Sequence, residues 1–114
     1  MAAVPKPLYR GRPGTSVGTL YTCSNTAGRW AIIKNIVIAN TTASAATITI
    51  YTVATGGSPS DDNVLVKELE VKGRSVVVLD VAVPLSENET IRALQGTAGA
   101  ICLTIGGVEY TPPE

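Results

Sequence analysis

The chain has 114 residues, room for one domain, and its 45% hydrophobic against 16% charged content is too apolar for a disordered segment. Histidine is absent, which removes the usual base near neutral pH and the commonest metal ligand; phenylalanine is absent too, so the core must be built from Ile, Val, Leu and Ala. Nine basic and nine acidic residues cancel to zero net charge, which argues against a nucleic-acid-binding body, and no window is long and apolar enough to cross a membrane as a helix.

The zero hides an asymmetry. Residues 1–60 carry Lys6, Arg10, Arg12, Arg29 and Lys34 and no acid, whereas residues 61–114 carry four basic and nine acidic side chains, so the two parts stand at +5 and −5. Two readings compete: strands from the two parts interleave in space and the charges average out, or a basic arm lies on the acidic face of a neighbouring subunit.

In chain order, residues 1–16 read as an extended arm, because Pro5, Pro7 and Pro13 exclude a helix or a central strand and Gly11 and Gly14 loosen the rest. Prolines and arginines stand where a signal peptide needs an apolar segment, so synthesis in a reducing cytoplasm is expected. The arm offers Lys6, Leu8, Tyr9, Arg10 and Arg12 as partner-binding residues: the cations would meet carboxylates and Leu8 and Tyr9 would fill a pocket on a neighbour. The competing reading is a loose terminal tail. Lys6, Tyr9, Arg10 and Arg12 also interleave charge with an aromatic as single-strand nucleic-acid binders do, but four positions in a neutral chain favour a structural arm.

Strands are expected at 17–23, 31–39, 47–53, 64–71, 75–83, 90–94 and 100–105, with a short last run at 108–110. Seven or eight strands separated by Gly, Pro, Asn, Asp and Ser clusters make an all-β chain, an antiparallel β-sandwich of jelly-roll or Ig-like type over residues 17–114. The clearest unit runs from Trp30 to Val53: Ile48 and Ile50 alternate with Thr47, Thr49 and Tyr51, as in a half-buried strand. Trp30, beside Arg29, is a candidate platform for a sugar ring, and equally a core or hairpin-lid residue. Asn40, Thr41 and Thr42 open a small-residue turn that reads as an exposed tip, able to touch a neighbour or a host surface. Asn40-Thr41-Thr42 and Asn88-Glu89-Thr90 fit the glycosylation pattern, but without a secretory route they are turn chemistry.

Between Asp61 and Val71 an N-capping Asp and the Leu65–Leu69 spacing suggest a helix, but Val64, Val66 and Val71 favour a strand. In the next strand Val77, Leu79, Val81 and Val83 make one apolar face, Asp80 interrupts the other, and Pro84 is expected to end the ladder. Ile101, Leu103 and Ile105 form the core face of the run after residue 100. For Cys23 and Cys102, near the two ends, a disulfide and two buried thiols both fit, with thiols favoured in a reducing compartment.

Chemistry is poorly provided for. Asp61-Asp62-Asn63 and Glu87-Asn88-Glu89 are the local acidic clusters, and adjacent carboxylates in a solvated turn repel rather than divide acid and base roles, so no catalytic residue is expected. No ligand spacing matches a calcium loop around residues 58–63, and Gly11, Gly14 and Gly18 lack the spacing of a phosphate cradle, so neither metal nor cofactor is expected.

Four stretches, GTLYT at 18–22, IIKNIVIANTTASAATITIYT at 32–52, PLSENETIRAL at 84–94 and LTIGGVEY at 103–110, together resemble small structural proteins of tailed bacteriophage particles. The resemblance implies a β-sandwich located in the virion, either a capsid-surface decoration protein or a tail accessory protein. It implies virion proteins, major capsid or tail, as partners, and a homo-oligomer with a trimer favoured, since three-fold positions recur in capsids and on the tail axis. It transfers no catalytic residue. A host-surface or glycan-binding adhesion module on the virion, using Trp30, Asn40, Thr41 and Thr42, is the alternative.

Overall fold

The computed structural model describes residues 2–24 and 29–111. Within them lie eight strands and no helix: β1 Ala2–Gly11, β2 Gly18–Thr22, β3 Trp30–Asn40, β4 Ala46–Val53, β5 Val64–Val71, β6 Val76–Leu85, β7 Thr90–Gln95 and β8 Ile101–Thr111. They form two antiparallel four-stranded sheets, ordered β1-β8-β3-β6 and β2-β7-β4-β5. Eight strands threading back and forth between two sheets in this order make a jelly roll; the Ig-like alternative would divide the strands differently.

The β-branched runs place their inward residues by simple alternation. Ile36 and Ile38 of β3, Ile48 and Ile50 of β4, Ile91 and Ala93 of β7, and Ile101, Leu103 and Ile105 of β8 are essentially without solvent exposure and fill the space between the sheets. Val77, Leu79, Val81 and Val83 of β6 pack against this cluster, as the alternation predicts. The ambiguous segment is a strand: β5 covers Val64–Val71 and pairs with β4.

Three expectations need correction. Residues 2–11 are not a free arm but the edge strand β1, paired with β8 from Ala2↔Thr111 to Gly11↔Leu103. Pro5 and Pro7 exclude a central strand, yet an edge strand can turn alternate proline nitrogens away from its neighbour. For the same reason β6, the other edge, runs through Pro84 to Leu85. The runs at 100–105 and 108–110 are one strand, and the intervening glycines allow close approach rather than breaking it. A Cβ on Gly106 would lie 2.5 Å from Asn35 Oδ1, and one on Gly107 would lie 2.4 Å from the Ile32 carbonyl oxygen and 2.7 Å from Leu8 Cδ1.

Cys23 and Cys102 are free thiols. Cys23 is buried, its Sγ 3.6 Å from the Leu85 carbonyl oxygen, whereas Cys102 alternates with buried Ile101 and Leu103 and so faces the outside of the first sheet.

Candidate functional site

The five residues expected to seek a neighbour are placed by β1 and the turn after it, and most find their contacts within the chain. Lys6 Nζ lies 3.2 Å from Glu109 Oε1, so the carboxylate it meets is on β8. Leu8, at the irregularity in the β1–β8 register, is buried in this chain's own core, and half-buried Tyr9 packs on the same cluster. Arg12 Nη1 donates to the Gly99 carbonyl and, at 3.2 Å, to Thr41 Oγ1. Arg10 is exposed on the outer side of the first sheet.

Trp30 and Asn40 stand at opposite ends of the eleven-residue strand β3, about 33 Å apart at ~3.3 Å per residue. They do not form one surface. Half-buried Trp30 stacks on Tyr110, ring centroids 4.1 Å apart and planes 8° from parallel, so one indole face is already covered. The cleft beneath, bordered by Tyr21, Cys23, Arg29 and Glu109, holds about 40 Å³, space for a few waters and not for a sugar ring. Asn40 is buried rather than exposed at a tip. Its Nδ2 donates to the carbonyls of Ser44, at 2.8 Å, and Val71, at 2.9 Å, while its Oδ1 accepts from Thr42 N and Thr42 Oγ1. Thr41 is exposed and Thr42 half-buried.

The acidic turns serve their own backbone. Asp61 pairs with Lys67 at 2.5 Å, Asn63 Oδ1 accepts from Ser60 N, and Glu89 Oε1 accepts from Ser86 N at 2.6 Å. Among the described residues no three His, Cys, Asp or Glu side chains converge on a point where a metal could sit.

A cluster missed at the level of sequence centres on Glu109. It continues the inward phase of Ile101, Leu103, Ile105 and Gly107, and there it accepts a hydrogen bond from the Tyr21 hydroxyl of β2 as well as the Lys6 ammonium. The Tyr21 hydrogen bond and the nearby Lys6 hold the carboxyl below its ordinary range, while burial and the same carboxylate push the Tyr21 phenol far up. The two-residue phase was legible; its partners on β1 and β2 were not. Because the folded pKa lies below the unfolded one, Glu109 contributes stability that is present above the unfolded carboxyl pKa and is lost as pH falls through the folded value. Glu109→Gln is therefore expected to flatten the acid limb of a urea-midpoint against pH curve; an acid limb identical to that of the parent protein would remove this role.

The outer face of the first sheet is the most unusual surface. Reading across β6, β3, β8 and β1, the register gives rows Pro84-Ile32-Val108-Pro5, Asp80-Asn35-Gly106-Pro7, Val78-Val37-Thr104-Arg10 and, without β1, Val76-Ala39-Cys102. Val76 and Val78 are 60% and 57% exposed. An antiparallel sheet commonly turns polar residues outward, whereas here the first and last rows carry no polar or charged side chain except the Cys102 thiol, and the two middle rows add Asp80, Asn35, Thr104 and Arg10.

No protein family model matches the chain, and no curated protein matches it. Solved structures do match in fold. The structure described as "Bacillus endospore appendages form a novel family of disulfide-linked pili" aligns over 98% of this chain and 90% of its own, at TM-score 0.52 and 16% identity. A chain from "Structure of infectious bursal disease virus Gx strain" aligns over 95% of this chain at TM-score 0.50 and 11% identity. This chain spans 31% of that viral chain's length. At these identities the likeness is one of fold.

Proposed function

We propose that this protein is a non-enzymatic structural subunit of a virus particle, and within that class a tailed-bacteriophage protein that binds capsid or tail proteins as a decoration or tail accessory subunit. The observation that carries the reading is the outer face of the β1-β8-β3-β6 sheet, where Val76 and Val78 stand exposed in rows with Val37 and Ala39. Such a face suits a protein that works by contact with other proteins. The jelly roll shared with a segment of a viral particle protein supports the class, and the phage assignment comes from the sequence resemblance. The adhesion alternative gains nothing from the geometry, since Trp30 is occupied by Tyr110 and lies far from Asn40.

Immunogold labelling of purified particles from infected cells that carry a tagged copy of this chain tests the proposal. Gold is expected at the head surface or along the tail. Particles bearing no label, from lysates in which the tagged chain is plentiful, would sink it.

A further inference from the structure

We propose that the outer face of the β1-β8-β3-β6 sheet is a homodimer interface, two copies packing face to face about a two-fold axis that runs parallel to the strands. This deepens the structural-subunit reading by naming the partner of that face as a second copy. It is tested on the isolated protein, so its failure is distinct from failure of the particle assignment.

The sequence pattern carries the first step. β3 (WAIIKNIVIAN), β6 (VVVLDVAVPL) and β8 (ICLTIGGVEYT) are near-continuous apolar runs, the pattern of strands covered on both faces. In β4 (ATITIYTV), by contrast, threonine and tyrosine alternate with the core isoleucines. The fold covers one face of β3, β6 and β8 and leaves the other to solvent.

Charge and shape select the occupant. Opposite charges stand on the two edges of the face: Arg10 on β1 borders a shallow depression floored by Gly106, whereas Asp80 lies on β6 beside the exposed Val78; Lys34, which also borders the depression, is on β3, next to the Asn35 that pairs with Asp80. β6 also carries an irregularity there, with Val81 and Ala82 set against the single residue Lys34. A two-fold axis along the strands places β6 of each copy over β1 and β8 of the other. Val78 and Asp80 then face the glycine-floored depression, and Asp80 comes within reach of Arg10, twice per dimer. A two-fold across the strands would instead oppose like to like. Four strands ~4.8 Å apart and ~33 Å long present about 600 Å² per copy, on the order of 1,200 Å² for the pair, which reaches the lower end of stable interfaces. Face-to-face packing of identical surfaces closes at two copies, so this contact does not generate the trimer that the phage resemblance implies.

Sedimentation velocity from micromolar to millimolar concentration tests the interface. A monomer–dimer equilibrium is expected. Val78→Lys, on an exposed position that leaves the core intact, is expected to weaken it by at least about tenfold with an unchanged far-ultraviolet spectrum. Asp80→Arg is expected to weaken it by about tenfold, and the double variant Asp80→Arg with Arg10→Asp to recover most of that loss. Cys102 lies on the interface, so its thiol should react more slowly as the dimer fills, while buried Cys23 stays inert throughout. The proposal is overturned by a monomer up to millimolar concentration, by a trimer, by a dimer that Val78→Lys leaves unchanged, or by Cys102 reactivity that ignores dimer formation. A face that instead binds a purified capsid or tail protein while the chain stays monomeric also overturns it.

Discussion

Asn40→Ala is expected to lose about 2–4 kcal/mol of folding stability, more than any exposed turn substitution. The side chain joins three pieces of the molecule: its amide nitrogen holds the carbonyls of Ser44 and of Val71 at the end of β5, and its oxygen holds the Thr42 amide and hydroxyl. Truncation removes the buried donor to the Val71 carbonyl and the acceptor for the Thr42 N–H, while the exposed Ser44 carbonyl keeps the Thr42 hydroxyl as a donor; each buried group left without a partner costs about 1 kcal/mol or more. Asn40→Asp separates the two sets. It keeps the acceptor for Thr42 but loses both donated bonds and sets a negative charge against two carbonyls, so it is expected to destabilise at least as much as alanine. Urea unfolding monitored by tryptophan fluorescence measures both; a loss below about 1 kcal/mol for Asn40→Ala would show that the turn does not depend on its side chain.

Gly107→Ala is expected to cost about 3 kcal/mol, with the damage localised to β1. The added carbon would meet the backbone of β3 at Ile32 and the side chain of Leu8 together. The Ile32 carbonyl belongs to a sheet ladder and cannot yield alone. The neighbouring Gly106→Ala meets the amide end of Asn35, a group that can rotate away, so its cost is expected to be about 1 kcal/mol. Paired denaturation curves test the order, and hydrogen exchange on Gly107→Ala should show lost protection in β1 before β3. Equal costs for the two glycines would contradict the close approach at Ile32.

Much of this was legible one strand at a time. Each of the strands β2 to β7 was visible because β-branched residues alternate or run together between turn residues, and their ends shift by one or two positions at most, whereas β8 was split in two at Gly106 and Gly107. Strand β1 was not, because proline was weighed against a central strand, and whether a strand lies at an edge is a property of the sheet. Asn40 looked exposed because turns usually are, yet its side chain turns inward to Ser44 and Val71. Glu109 followed the core phase of its strand, but a half-buried carboxylate there makes sense once Tyr21 and Lys6 arrive from other strands. The charge split between residues 1–60 and 61–114 is largely folded away, since each sheet takes two strands from either part and Lys6 meets Glu109 across it.

By itself the sequence determined an all-β chain with an aliphatic core and an absent histidine, because alternation and composition are local properties of the chain. Strand order, the edge positions of β1 and β6, the Glu109 cluster and the apolar outer face were decided in the tertiary structure. Each of these depends on which strands lie side by side, and β1 and β8 come from the two ends of the chain. Hydrogen-bonded pairing at that separation leaves no periodic trace in either strand.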